Sequence, residues 1–208
     1  MDTAADPNSQ SARRLARWIP WIAFGFVAWV SAGLLFVLYL RSPGVPAEKP
    51  AISEPIGEFS FYRESDTLFR EIDLDHKTTV INFFFTRCPG PCPLMTAQLR
   101  EIERAFGSSP SFQIASITLD PSNDTSAALR AYADRYGIKP ANWAFLRAPL
   151  DQTIAFAQQA LRVPAGEDPD LHTTRFILVD RQRRVRGVFD STSPRELEAL
   201  RAQLKNFL

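Results

Sequence analysis

Soft metal ligands and crosslinking residues are scarce in this chain. Its 208 residues include two cysteines, two histidines and two methionines. A framework of several disulfides is excluded, and one thiol pair must carry whatever cysteine chemistry exists. Net charge is scarce too, at +1. That excludes strong general attraction to nucleic acid. No internal repeat and no low-complexity tract is present. Length and composition suit one ordinary globular domain with extensions.

A further absence is local. Residues 18–40, WIPWIAFGFVAWVSAGLLFVLYL, carry no charge. As a helix this run would be about 35 Å long, enough to cross a hydrocarbon core of roughly 30 Å. Trp18, Trp21 and Tyr39 stand near its ends, where amphipathic rings prefer the interface. Pro20 falls in the first turn, where its missing N–H costs little. Arg13, Arg14 and Arg17 precede the run and only Arg41 follows closely. The positive-inside rule then puts the N-terminus in the cytoplasm and residues 42–208 outside. A cleaved signal peptide would have a shorter apolar core and a small-residue cleavage site, whereas this run ends in LYLRSPG. The expected organisation is a short cytoplasmic tail over 1–17, a transmembrane anchor over 18–40, a proline-rich linker over 41–57 and a domain over 58–208. Both cysteines then face an oxidising compartment.

Within the domain, EFSFYRESDTLFREIDL starts with alternating apolar and polar residues and predicts a short hairpin. TTVINFFF (78–85) is a continuous β-branched and aromatic run, the pattern of a fully buried central strand. Met95, Leu99, Ile102 and Phe106 then recur at helical spacing, with Gly107 as a stop. FQIASITL (112–119) reads as a strand. Residues 124–136 read as a helix capped by Asp124 or Thr125, and WAFL (143–146) as a short strand. Leu150, Ile154, Ala157 and Leu161 mark a third helix. RFILVD (175–180) and VRGVFD (185–190) are strands joined across RQRR. Ser193, Pro194 and Glu196 form a capping-box pattern before the last helix. This order predicts an α/β domain with a mostly parallel sheet covered on both faces and an antiparallel hairpin at one edge.

Both cysteines lie in FFFTRCPGPCPLMT (83–96), in the turn between the central strand and its helix. That is the thioredoxin-like arrangement, and such turns are where α/β sheets place ligand sites. Cys88 and Cys92 at i and i+4 suit a disulfide, a redox pair or two thiolates on one soft metal ion. A helix N-terminus lowers a thiol pKa, and Arg87 adds to the same effect. Pro89, Pro91 and Pro93 stiffen the loop. A purely structural disulfide across so short a loop would stabilise little.

His76 precedes the central strand in a polar stretch and reads as a solvated loop residue. His172 stands just before the strand starting near Arg175, in a loop that faces the cysteine turn of a thioredoxin-like sheet. Its position leaves open a loop histidine or a third ligand, in a Cys₂His set suited to copper or to zinc with water. Met95 shares the core stripe of its helix, which outweighs its sulfur as a ligand. Two features point away from a general dithiol exchanger. The spacing is C-x-x-x-C, and LHTTRF has no proline where such enzymes carry one.

Taken together, VINFFFTRCPGPCPLM, ITLDPSNDTSAALRAYADRYG, WAFL and LHTTRFILVD resemble the Sco family, also called SenC or PrrC. These are membrane-anchored copper chaperones of cytochrome c oxidase assembly, and the resemblance covers about residues 78–208. It implies a thioredoxin-like fold and copper, Cu(I) or Cu(II), held by Cys88, Cys92 and His172. Asp151, in APLDQTIAF, matches an acidic position suspected of a supporting role. The plainer and favoured reading of this residue is a helix N-terminal carboxylate. The implied partner is oxidase subunit II, at its copper A centre, or a copper donor or acceptor protein. The expected location is the inner membrane, single-pass, with the domain periplasmic. No turnover chemistry is required. The alternative is a periplasmic thiol–disulfide reductase using Cys88 and Cys92.

Overall fold

The computed structural model describes residues 29–31, 33–34, 54–139, 141–163 and 174–208. The chain divides into two units, Met1–Val45 and Pro46–Leu208. In the first, the described residues are helical. Among the described residues no helix is long and apolar enough to cross a membrane. The expected tail at 1–17, most of the anchor at 18–40 and most of the linker at 41–57 lie outside them.

Among the described residues, the second unit holds seven strands: β1 (Ser60–Arg63), β2 (Leu68–Arg70), β3 (Thr78–Phe84), β4 (Phe112–Thr118), β5 (Trp143–Arg147), β6 (Arg175–Val179) and β7 (Val185–Asp190). Four α-helices accompany them: α1 (Pro91–Phe106), α2 (Ser126–Arg135), α3 (Leu150–Ala155) and α4 (Pro194–Phe207). The strands form one sheet in the order β2-β1-β5-β4-β3-β6-β7. β3, β4 and β5 are parallel, and every other pairing is antiparallel. The expected alternation of strands and helices is present, but the expectation of a mostly parallel sheet is corrected: two of the six pairings are parallel. A hairpin closes each edge and not one alone, β6–β7 on one side and β1–β2 on the other, and every antiparallel pairing involves a strand of these hairpins.

The sheet is buried on both faces, which is why β3 and β4 read as unbroken runs: all seven residues of each are buried. Successive side chains point to opposite faces. Val80 and Phe84 join a core with Leu99 and Ile102 of α1, Leu129 of α2 and Leu200 of α4. Ile81 and Phe83 join a second core with Phe61, Leu74 and Phe156.

Two details depart from the sequence pattern. The third helix becomes a π-helical turn over Phe156–Ala160, so its apolar stripe is not one continuous α-helical face. At the start of α4, Ser193 accepts from the Glu196 N–H (3.4 Å). The Glu196 carboxylate, however, accepts from the Asp190 N–H (2.6 Å), so only half of the capping box forms as expected.

Candidate metal centre

β3 ends at Phe84, and the chain turns at once. The Cys88 N–H donates to the Phe85 carbonyl (3.2 Å). Gly90 is the N-cap of α1, and Pro91, Cys92 and Pro93 are its first three residues. Proline suits this first turn because its N–H would be unpaired there anyway. The backbone thus fixes Cys92 inside the helix start and Cys88 in the turn before it.

The two side chains meet as free thiols and hydrogen-bond to one another. Both are buried, Cys92 to 3% exposure and Cys88 to 8%. They pack in the first core with Met95, Leu99 and Phe84. The turn around them is exposed at Arg87, Pro89 and Gly90, so it is the two cysteines that turn into the core. The expectation that the helix start favours thiolate at Cys92 is corrected. Burial, and next the hydrogen bond with Cys88, push the Cys92 pKa up to about 12. Backbone hydrogen bonds at Phe85 and at Cys92 itself work the other way and are outweighed. The prolines contribute to this result, since Pro91 and Pro93 remove two donors from the positive end of the helix.

Below the pair, Thr96 and Tyr132 hydroxyls hydrogen-bond at 2.8 Å in the core. Burial raises the Tyr132 pKa. Phe84 packs against the Tyr132 ring with centroids 5.2 Å apart. The floor of the site is thus aromatic and rigid.

A second loop grips the cysteine turn. Asp124 is fully buried. Its carboxylate accepts from the Thr86 N–H (3.1 Å), the Thr86 hydroxyl (2.5 Å) and the Thr118 hydroxyl. Asp120 lies 3.6 Å from Arg87. Thr86 and Arg87 lead directly into Cys88, so the 120–124 loop sets where that sulfur sits. Sequence reasoning offered Asp124 or Thr125 as the helix cap, and the cap is Thr125, whose hydroxyl accepts from the Ala128 N–H at 3.3 Å. The available signal was the L-D-P-x-x-D-T block itself, which carries one more acid than a cap and turn require.

The other candidates fall as follows. Met95 is 1% exposed and belongs to the core stripe. Asp151 is exposed in the first turn of α3, at the sheet edge where β3, β4 and β5 all end. His76 is exposed at the opposite edge, beyond the start of β3. His172 lies outside the described residues. Among the described residues, no three His, Cys, Asp or Glu side chains are grouped to hold a metal ion. The two thiols supply half of a tetrahedral shell or most of a low-coordinate Cu(I) site, and they are soft donors in a water-poor pocket.

The chain is similar to known proteins along most of its length. The SCO1/SenC family model matches residues 48–208. The SCO1 protein homolog of Bacillus subtilis (strain 168) is 28% identical over 156 residues, which span 72% of this chain and 80% of that protein. The structure of BsSco, a member of the Sco family of cytochrome c oxidase assembly proteins in which a disulfide switch was identified, matches with a TM-score of 0.67. It is 21% identical and covers 76% of this chain and 95% of its own. Bradyrhizobium japonicum ScoI, solved with copper bound, matches with a TM-score of 0.59 at 27% identity, over 74% of this chain and all of its own.

Proposed function

The chain belongs to the SCO1/SenC family, and on that premise we propose that it is a membrane-anchored copper chaperone supporting cytochrome c oxidase assembly. Copper is its cargo, held by Cys88, Cys92 and His172 and passed to the copper A centre of oxidase subunit II. The observation that carries this reading is the pair of buried thiols hydrogen-bonded to each other after the central strand. Two thiolates suit Cu(I), and an imidazole serves both oxidation states. The sheet register supports the third ligand. β6 runs antiparallel to β3, with Ile177 beside Ile81, so the start of β6 lies beside the end of β3. Thr174 leads into β6, and His172 is two residues before it. Copper-bound ScoI of Bradyrhizobium japonicum supports the choice of metal. The run at 18–40 is the anchor, in the inner membrane, with residues 42–208 in the periplasm.

Anaerobic titration of the reduced full chain in detergent with Cu(I) tests the site. One tight equivalent is expected, weakened at least tenfold, about 1.4 kcal/mol, by His172→Ala. Binding indifferent to His172, or no binding, overturns the three-ligand site.

One observation favours a second reading. Two free thiols already in contact need little motion to form a disulfide. A periplasmic thiol–disulfide reductase would use Cys88, the less buried sulfur, as attacker. Such a reductase would keep its activity in His172→Ala, whereas the chaperone would lose its function.

A further inference from the structure

The end of the domain opposite the cysteines carries a feature that copper binding does not use. β6 and β7 are joined by Arg181-Gln182-Arg183-Arg184. The turn is built on Asp180, which is buried to 1% exposure. One Asp180 oxygen accepts from the Gln182 and Arg184 N–H groups, each at 2.9 Å. The other accepts from Arg186 at 2.6 Å. Arg183 sits at φ 63, a position that glycine or asparagine usually takes. His76, in the neighbouring turn, has φ 62. The two turns are joined by the His76 N–H to the Arg181 carbonyl (3.1 Å) and by Arg183 to Asp75 (3.1 Å). Arg181, Arg184 and His76 are exposed, and Lys77 is half-buried beside them.

This basic end is also where the described chain enters the domain. The Ile56 N–H donates to the Arg183 carbonyl at 2.8 Å. The described chain therefore enters the domain beside the arginine turn and not at the cysteine end. Asp75 pairs with Arg183 and Asp180 with Arg186, which leaves Arg181, Arg184 and Lys77 against Glu54 and Glu58, a surplus of one positive charge, with Arg181 and Arg184 as the exposed guanidiniums. β3 spans roughly 20 Å between this end and the cysteine turn.

We propose that the Arg181–Arg184 turn docks on anionic phospholipid headgroups and so holds the cysteine end facing away from the bilayer. Two exposed guanidiniums on a hydrogen-bonded turn match phosphate chemistry, and the described chain enters the domain beside them. The inference rests on the proposed membrane anchor. It adds an orienting contact that the anchor alone does not supply, and it keeps the copper site presented to a partner.

The test uses the full chain in phospholipid nanodiscs, with a photo-crosslinking residue at Gln182 or, for comparison, at Leu94 beside the cysteines. Discs contain phosphatidylcholine alone or with phosphatidylglycerol. The expected result is lipid adducts from position 182 in the anionic discs, reduced at least about fivefold by high salt, by neutral discs and by R181Q/R184Q, with little adduct from position 94. Equal adduct in neutral and anionic discs, no adduct from position 182, or more from position 94 overturns the docking. Alkaline carbonate extraction in parallel reports the anchor. A chain retained by the bilayer that gives no adduct at 182 leaves the anchor standing and removes the docking, whereas an extractable chain removes both.

Discussion

At Cys92 two effects oppose one another, and burial is the larger. The helix start favours thiolate, but a 3% exposed sulfur beside a second thiol is held protonated, with its pKa at about 12. The sign of the consequence follows. A group whose folded pKa lies above its unfolded value of 9.0 stabilises the fold fully below about pH 9 and loses that contribution as pH rises toward 12. Denaturant midpoints at neutral pH and at about pH 10.5 should therefore diverge more in the parent than in Cys92→Ala. Tyr132, raised in the same direction, supplies the alkaline loss that remains in the variant. Copper must displace the Cys92 proton, so Cu(I) affinity should rise by about tenfold per pH unit on that account between pH 6 and 8. Affinity flat across that range would contradict a thiolate ligand at Cys92. Asp124 is the other decisive residue. Asp124→Asn keeps its shape but loses charge and one acceptor against three donors, costing about 1–3 kcal/mol of stability. Cu(I) affinity should fall with it, because Thr86 then no longer fixes Cys88. Thr118→Val removes one donor to the carboxylate but leaves both Thr86 bonds in place, and should cost stability with less effect on copper.

At the scale of elements, the strands were the most legible part. β3, β4, β6 and β7 lie within one residue of the runs that announced them: β3, β4 and most of β6 are buried on both faces and leave a continuous apolar signature, while the edge strand β7 alternates. The order of helices and the cysteine turn followed from the same pattern. The bracing network did not, because Asp124, Thr86 and Thr118 meet through tertiary contacts that no local spacing encodes. The π-turn after α3 was equally silent, since periodicity reports a face and not a change of pitch. The prolines of α1 carry a prediction at this scale. Pro91→Ala with Pro93→Ala restores two N–H donors near Cys92 without disturbing a helical hydrogen bond. Helix content by circular dichroism should be unchanged, and stability should fall by about 0.4–1 kcal/mol per proline through the freer unfolded chain. The Cys92 pKa, followed by thiolate absorbance, should move down. A pKa that stays put would show that burial alone sets it.

Across the whole molecule, the soft ligands collect at one end of the sheet and the tether enters at the other. That division is a consequence of topology. β3 leaves the tether end and delivers the chain to Cys88, while β6 runs back from the region of Thr174 to the arginine turn. The placement of Arg13, Arg14 and Arg17 before the uncharged run, with Arg41 after it, fixes the expected direction of export. Residues 46–208 form one compact unit, and the segment before Glu54 offers prolines and few apolar residues, so protease should cut there before it cuts the core. Spheroplasts treated with a protease that cannot cross the membrane should release a soluble fragment of about the size of residues 54–208, with both cysteines on it. Inside-out vesicles should protect that fragment. Release from the inside-out vesicles instead would reverse the topology, place the thiols in a reducing compartment, and remove the physical basis for delivering copper outside the cell.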